Sequence, residues 1–323
     1  MRPLPAEWHS QSCVLIAWPS PDSDFSSNLT EVENCYRLIT MAISSRQKLL
    51  IACQNQHQQH HVQKYLNHLP DARSIDYTIL PFDDIWVRDT APLSRLSNQG
   101  VQLINFSFNG WGEKYPHQAD TEFSQNLYQR CLSRIKPLAI SRMQTLEMVL
   151  EGGSIDSDGA GTVLTTRNCL LNPNRNPKLN QQQIESLLLA KLGIKRIHWL
   201  SNGSIEGDDT DAHIDTLARF CSTNTIAYSS CDDVDDSHYN HLKQMEKELQ
   251  RITSEAYRKA QEIKGKADAQ ATVIYAEAYN KDPEFYSFIK TLDTYKNSLA
   301  KNSTLVINTD NNYFKYLKNM EEK

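Results

Sequence analysis

Three short stretches carry the residues best suited to chemistry: Trp86-Val-Arg88-Asp89, Glu151-Gly152-Gly153 and His213-Ile214-Asp215. A guanidinium is planar and permanently charged, and its paired donors match a carboxylate through two parallel hydrogen bonds. Holding one for attack on its central carbon calls for two carboxylates, a thiolate beside the plane and an acid/base that protonates the departing ammonia. His213 and Asp215 are two apart in an apolar-rich run, so a strand here would point both side chains the same way. One segment would then supply a proton carrier and one anchoring carboxylate. Asp89, just before Pro92, fits the end of a strand entering a pocket. Glu151 precedes two glycines, which let the backbone approach a ligand closely. Its job would be to hold the histidine or to accept a proton from the substrate. Taken singly, each residue also fits a surface acid or a histidine satisfied in the core.

The elements that must position these residues follow from periodicity. Val14–Trp18, Lys48–Ala52, Val101–Phe108, Gly161–Thr166, Arg196–Leu200 and Thr225–Tyr228 have strand length and turn-forming boundaries. Leu29–Ser45, Gln56–His68, Thr121–Arg134 and Asn180–Leu192 have helical spacing. The alternation predicts an α/β domain. Ten of the eleven glycines fall at or before Gly207, and eleven of the twelve prolines at or before Pro177. The local rules therefore change near residue 240. From Leu242 to Ala278 an alanine-rich apolar stripe advances three or four residues at a time, which predicts one long helix. So shallow a stripe needs a partner, and self-association through residues 242–280 is expected. Lys281-Asp282-Pro283 ends it. A second amphipathic helix (Phe285 to Leu299), a strand over Thr304–Asn308 and a helical turn over Tyr313–Leu317 complete the expected chain.

Composition excludes several classes. The net charge of -5, with basic residues scattered, argues against nucleic acid. No apolar run approaches a membrane span, and the N-terminus lacks a signal-type stretch, so a soluble cytoplasmic protein is expected. Seven cysteines at irregular spacing read as free thiols. His57, His60 and His61 read as a solvated helix face, since no third metal ligand is apparent. The acidic Cys231–His238 run lacks the glycine and distal glutamate of a calcium loop. Asp156-Ser-Asp158-Gly159 reads as a hairpin turn.

Seven motifs carry a family resemblance. Pro5-Ala-Glu-Trp8 with Ala17-Trp18-Pro19, Asp83-Asp-Ile-Trp-Val-Arg-Asp89, Asn109-Gly-Trp-Gly-Glu-Lys-Tyr115, Leu150-Glu-Gly-Gly-Ser-Ile155, Asp158-Gly-Ala-Gly-Thr-Val-Leu-Thr-Thr166, Asn172-Pro-Asn-Arg-Asn-Pro177 and Gly207-Asp-Asp-Thr-Asp-Ala-His-Ile-Asp-Thr-Leu-Ala-Arg-Phe220 occur in order. Over this span the chain resembles the agmatine deiminase family, which is similar to bacterial peptidyl-arginine deiminases. The resemblance implies a pentein fold, a five-bladed α/β propeller of ββαβ-type modules. It also implies hydrolysis of agmatine to N-carbamoylputrescine and ammonia, on the route to putrescine, with no metal or organic cofactor. Carried over residue by residue, it makes Asp89 and Asp215 the guanidinium clamp, His213 the general acid/base and Glu151 the support of substrate and histidine. Trp86 would line the pocket.

The family's nucleophile lies in a Gly-Gly-x-x-His-Cys context, and nothing of that form follows residue 220. Cys221 closes the Ala-Arg-Phe run and Cys231 opens an acidic stretch where a thiolate is disfavoured, so the nucleophile is left unassigned. Residues 252–286 instead resemble the C-terminal part of the bacterial HflC protein, of stomatin/prohibitin type. The expected organisation is an incomplete deiminase-like propeller over 1–249 and a helical tail over 250–323, the product of a fusion of two truncated genes. Such a chain is expected to lack deiminase activity. The rival expectations are an interaction protein that oligomerises through its tail, or a rearrangement remnant.

Overall fold

The computed structural model describes residues 3–98, 100–131, 140–298 and 316. The chain divides into two compact units, residues 1–250 and 251–323.

In the first unit, β1 (Val14–Ala17), β2 (Leu49–Cys53) and β3 (Ile75–Ile79) form a parallel sheet in that order. Helices α1 (Leu29–Ser44) and α2 (Gln56–Leu66) make the crossovers that parallel pairing requires. All five residues of β2 are buried, as its unbroken apolar run demands in the middle of a parallel sheet. After β3 a single turn, α3 (Val87–Thr90), precedes the second sheet.

The second and third sheets share one plan. β4 (Leu93–Ser97) and β5 (Gly100–Ser107) form an antiparallel pair, and β6 (Ile140–Val149) returns parallel to β5. Between them lie the tight turn α4 (Gly110–Glu113) and helix α5 (Gln118–Arg130). β7 (Ile155–Ser157) and β8 (Thr162–Thr166) then pair antiparallel, and β9 (Arg196–Leu200) returns parallel to β8 after α6 (Arg167–Leu170) and α7 (Gln181–Leu192). Each is a ββαβ arrangement. Helix α7 shows how sequence sets the packing. Asn180 and Gln183 form a capping box at its start, and Gly193, at φ +67°, ends it in the left-handed region. Ile184, Leu188 and Leu192 recur every four residues on one face and are fully buried against Ile104, Leu150 and Val163. Each such side chain contributes about 1.5–3 kcal/mol relative to exposure.

The last turn before the long helix is α8 (Ile214–Leu217), followed by the hairpin β10 (Ala218–Ser222) and β11 (Thr225–Tyr228). Helix α9 (Tyr239–Lys281) starts within the first unit, where Leu242, Met245 and Leu249 are buried. Met245 and Leu217 crowd Gly203, so closely that an added Cβ there would lie 2.7 Å from Met245 Sδ. Glu248 accepts from the Ser201 amide at 2.9 Å and from Asn202 Nδ2 at 3.0 Å.

In the second unit the remaining turns of α9 are exposed, including Tyr257, Ile263, Val273 and Ile274. Pro283 opens α10 (Pro283–Ser298), a position where its missing amide is not needed, and Asp282 caps the Phe285 amide at 2.9 Å. Lys290 Nζ sits 4.4 Å above the Tyr275 ring. No helix among the described residues is long and apolar enough to cross a membrane. The strand expected over 304–308 and the turn over 313–317 lie outside the described residues, apart from Tyr316.

Three expectations are corrected. His213, Ile214 and Asp215 do not lie on a strand, because His213 caps the short α8 and Asp215 sits in its first turn. Asp89 is not at a strand end but in α3. The ββαβ order fits the second and third sheets only: the first is βαβαβ, and the fourth has a hairpin before α9.

Candidate active site

Asp89 reaches the site from α3, the one turn that the Asp83–Asp89 segment makes between the first two sheets. The Asp83 and Asp84 amides donate to Asp120 at 2.9 and 3.1 Å, tying this segment to α5. Asp89 itself is nearly buried and accepts from the Gly153 amide at 2.7 Å and from Trp111 Nε1 at 3.0 Å. Trp86 stands at the start of the same turn, where its carbonyl accepts from the Asp89 amide. Its side chain is 55% exposed.

Glu151 follows β6 and is completely buried. Its Oε1 accepts from Arg175 Nε at 2.8 Å, and Arg175 also donates to Asp211 Oδ2 at 2.6 Å and to the Thr210 carbonyl at 3.0 Å. This arginine ties the Glu151 segment to the segment that carries the histidine. Asp211 and Ala212, immediately before His213, have φ of +64° and +67°. Consecutive left-handed residues other than glycine cost about 1–3 kcal/mol each, and persist only where surrounding contacts enforce them. Here Asp208 accepts from the Thr210 and Ala212 amides at 2.9 and 2.7 Å, and Thr166 Oγ1 donates to the Ala212 carbonyl at 2.7 Å. The strain is spent on aiming one imidazole.

The convergence is sharpest around Gly153. A Cβ added there would lie 2.6 Å from Asp215 Oδ2, 2.7 Å from His213 Nδ1 and 2.8 Å from Asp89 Oδ1. His213 Nδ1 stands 3.8 Å from Asp89 and 4.0 Å from Asp215. Burial pushes both aspartates above the usual carboxylate range, and the Asp89 charge raises Asp215 further. Burial pulls His213 below its ordinary value, with Arg175 acting in the same direction. The pair of carboxylates lacks a full counter-charge, since Arg88 Nε approaches Asp215 only to 4.0 Å while its Nη2 bonds Glu7 at 2.6 Å. The arrangement suits a planar cation held between two acids beside a neutral imidazole.

The structure therefore brings Asp89, Glu151, His213 and Asp215 into one cluster, while Trp86 starts the turn that carries Asp89 and is exposed. The sequence motifs point to no role for Arg175, Trp111 or Cys169, although all three stand in those motifs or beside them, whereas the close approach expected at Gly152-Gly153 is found at Gly153. Cys169, on α6, is buried with one donor atom of Glu151 and one of His213 close by, and burial pushes its thiol well up. Cys221 is exposed on β10, and Cys231 is half-buried before α9. All seven cysteines are unpaired.

Residues 3–311 match the family model described as Porphyromonas-type peptidyl-arginine deiminase, a match that continues past residue 249. The chain is 31% identical over 270 residues to an agmatine deiminase of Stutzerimonas stutzeri, covering 82% of this chain and 68% of that protein. It is 31% identical over 242 residues to that of Pseudomonas aeruginosa, covering 73% and 62%. The chain thus spans about two thirds of the length of the curated relatives it matches. A structure of C. jejuni agmatine deiminase, a cysteine-to-serine variant with substrate bound, superposes with a TM-score of 0.71 at 34% identity, over 78% of this chain and 72% of that one.

Proposed function

This chain belongs to the Porphyromonas-type peptidyl-arginine deiminase family, and on that premise we propose that its first unit is an agmatine deiminase-type site that binds the guanidinium of agmatine between Asp89 and Asp215. The observation that carries the reading is the meeting of Asp89, Asp215 and His213 around Gly153. Two desolvated carboxylates gain most from a ligand that brings a delocalised positive charge and paired donors. His213, held neutral, is the general acid/base, Glu151 supports it, and Trp86 covers the mouth. The named relatives support agmatine as the guanidino compound.

In that reading, turnover would give N-carbamoylputrescine and ammonia, with no metal or organic cofactor. The thiol that must attack the guanidino carbon has no candidate of the required kind within these 323 residues. No Gly-Gly-x-x-His-Cys occurs after residue 220, Cys169 is a desolvated thiol beside a buried carboxylate, and Cys221 and Cys231 lie on exposed or acidic segments. We therefore read the chain as binding agmatine without hydrolysing it. Ammonia release from agmatine, measured beside a His213→Ala variant, is the test. No release is expected, and turnover abolished by His213→Ala would show that a cysteine does complete the site.

The ββαβ order of the second and third sheets supports a pentein propeller for 1–249. Residues 250–323 read as an HflC-like helical tail fused near Leu249–Ile252, supported by the scarcity of glycine and proline there, Gly265 and Pro283 alone. A second reading, self-association through the 242–280 helix, is favoured by the exposed Ile263, Val273 and Ile274. Seven unpaired thiols support a reducing, cytoplasmic setting.

A further inference from the structure

We propose that Glu151, Cys169 and His213 form a zinc-binding site behind the carboxylate pair. The three residues come from three separate segments: the end of β6, the one-turn α6 and the start of α8. One donor atom from each lies within 4.8 Å of the other two, and all three residues are buried. Tetrahedral zinc, with bonds of about 2.0–2.3 Å, wants its donors about 3.3–3.8 Å apart, a contraction that small rotamer adjustments supply.

A second observation points to a ligand independently of the cysteine. Glu151 Oε2 and His213 Nε2 are both buried without a hydrogen-bond partner. Neither is an accident of a loose side chain. Glu151 Oε1 is fixed by Arg175, and the backbone ahead of His213 is held by Asp208 and Thr166. A carboxylate oxygen and an imidazole nitrogen left bare in the interior each forfeit about 1–3 kcal/mol, and a metal ion would satisfy both at once. Thiolate, imidazole and carboxylate together suit zinc, whereas magnesium and calcium favour sets of oxygen ligands.

The charge balance is workable. Metal binding breaks the Cys169 S–H bond, forms an S–Zn bond and releases the proton to solvent, with no change of oxidation state. Thiolate and carboxylate then neutralise the ion. Arg175, 2.8 Å from Glu151, opposes the added charge, while Asp89, Asp208, Asp211 and Asp215 favour it. A zinc ion here would occupy the very atoms, His213 Nε2 and Glu151 Oε2, that a proton relay needs. It would act as an inhibitor and not as a cofactor, a consequence that rests on the function proposed above. The binding itself does not rest on it.

Cobalt(II) titration of the full chain tests the site, because thiolate ligation gives a charge-transfer band in the near ultraviolet. One equivalent should develop the band, zinc should displace it, and Cys169→Ser should remove it. A folded chain that develops no band, or a band undiminished in Cys169→Ser, overturns the proposal. Should circular dichroism show Cys169→Ser unfolded, the variant Cys35→Ser/Cys221→Ser/Cys231→Ser decides. Retention of the band there supports the buried site, and its loss assigns the metal to exposed thiols and overturns it. None of these readouts involves agmatine, so failure here is distinguishable from failure of the catalytic reading.

Discussion

Glu151 Oε1 and Arg175 Nε lie 2.8 Å apart, and neither side chain has any exposure. The guanidinium continues to Asp211 and the Thr210 carbonyl, so one arginine joins the glutamate to the strained backbone that presents His213. A pair so deep costs desolvation on both sides, and its value is positional: it sets where the imidazole stands.

Arg175→Met should therefore be severe. It strands the Glu151 carboxylate and leaves Asp211 held by Lys114 alone, with an expected loss of about 3–5 kcal/mol. Urea denaturation measures it, and the double variant Glu151→Gln/Arg175→Met should recover part of the loss by removing the orphaned charge.

The adjacent glycines should separate fold from site. A Cβ at Gly152 would meet the Arg88 carbonyl at 2.1 Å, a backbone atom that cannot swing aside, whereas one at Gly153 would meet the side chains of Asp215, His213 and Asp89. Gly152→Ala should lower stability by about 1–3 kcal/mol, as overpacking does. Gly153→Ala should cost less stability and abolish agmatine binding, since carboxylates and imidazole can rotate away only by leaving their working positions. Melting curves and calorimetry on both variants check the contrast.

The candidate site residues were legible because their types are rare in combination, but their local structure was not. The spacing of two predicts strand neighbours at His213 and Asp215, but they converge from the start of α8, after two left-handed residues that no periodicity reveals. Strands β2, β8 and β9 stood out as apolar runs with firm boundaries. β3 did not, because Asp76 and Tyr77 interrupt it, nor did β6, whose Ser141 and Arg142 face outward. Arg175 and Cys169 went unassigned because their partners lie far away in sequence, at Glu151 and at Asp211 and His213.

Asp120 should make stability depend on pH. Burial, reinforced by the Asp83 and Asp84 charges, pushes its carboxyl up from 3.8 to about 7, although the two backbone amides it accepts from pull the other way. The folded chain thus binds this proton more tightly than the unfolded chain. Its stabilising contribution is present below the unfolded value and is lost as pH rises towards about 7. Urea midpoints at acidic and neutral pH should show that decline, and Asp120→Asn should flatten it.

Self-association through α9 should depend on its exposed isoleucines. Ile263→Lys/Ile274→Lys puts two charges on the apolar stripe without shortening the chain. Sedimentation should show a smaller species than the unmodified protein, while the first unit, which contains neither residue, keeps its melting transition.

The most direct test of the guanidinium site is calorimetric titration of the full chain with agmatine, beside putrescine and beside Asp215→Asn. Asp215 makes no contact shorter than the 4.0 Å approaches to His213 and Arg88 among the ion pairs of the described residues, so its amide should leave the fold intact. The account predicts saturable binding of agmatine, little of putrescine, and loss of agmatine binding in the variant. Equal binding of the two amines, or agmatine binding unchanged in Asp215→Asn, would contradict it.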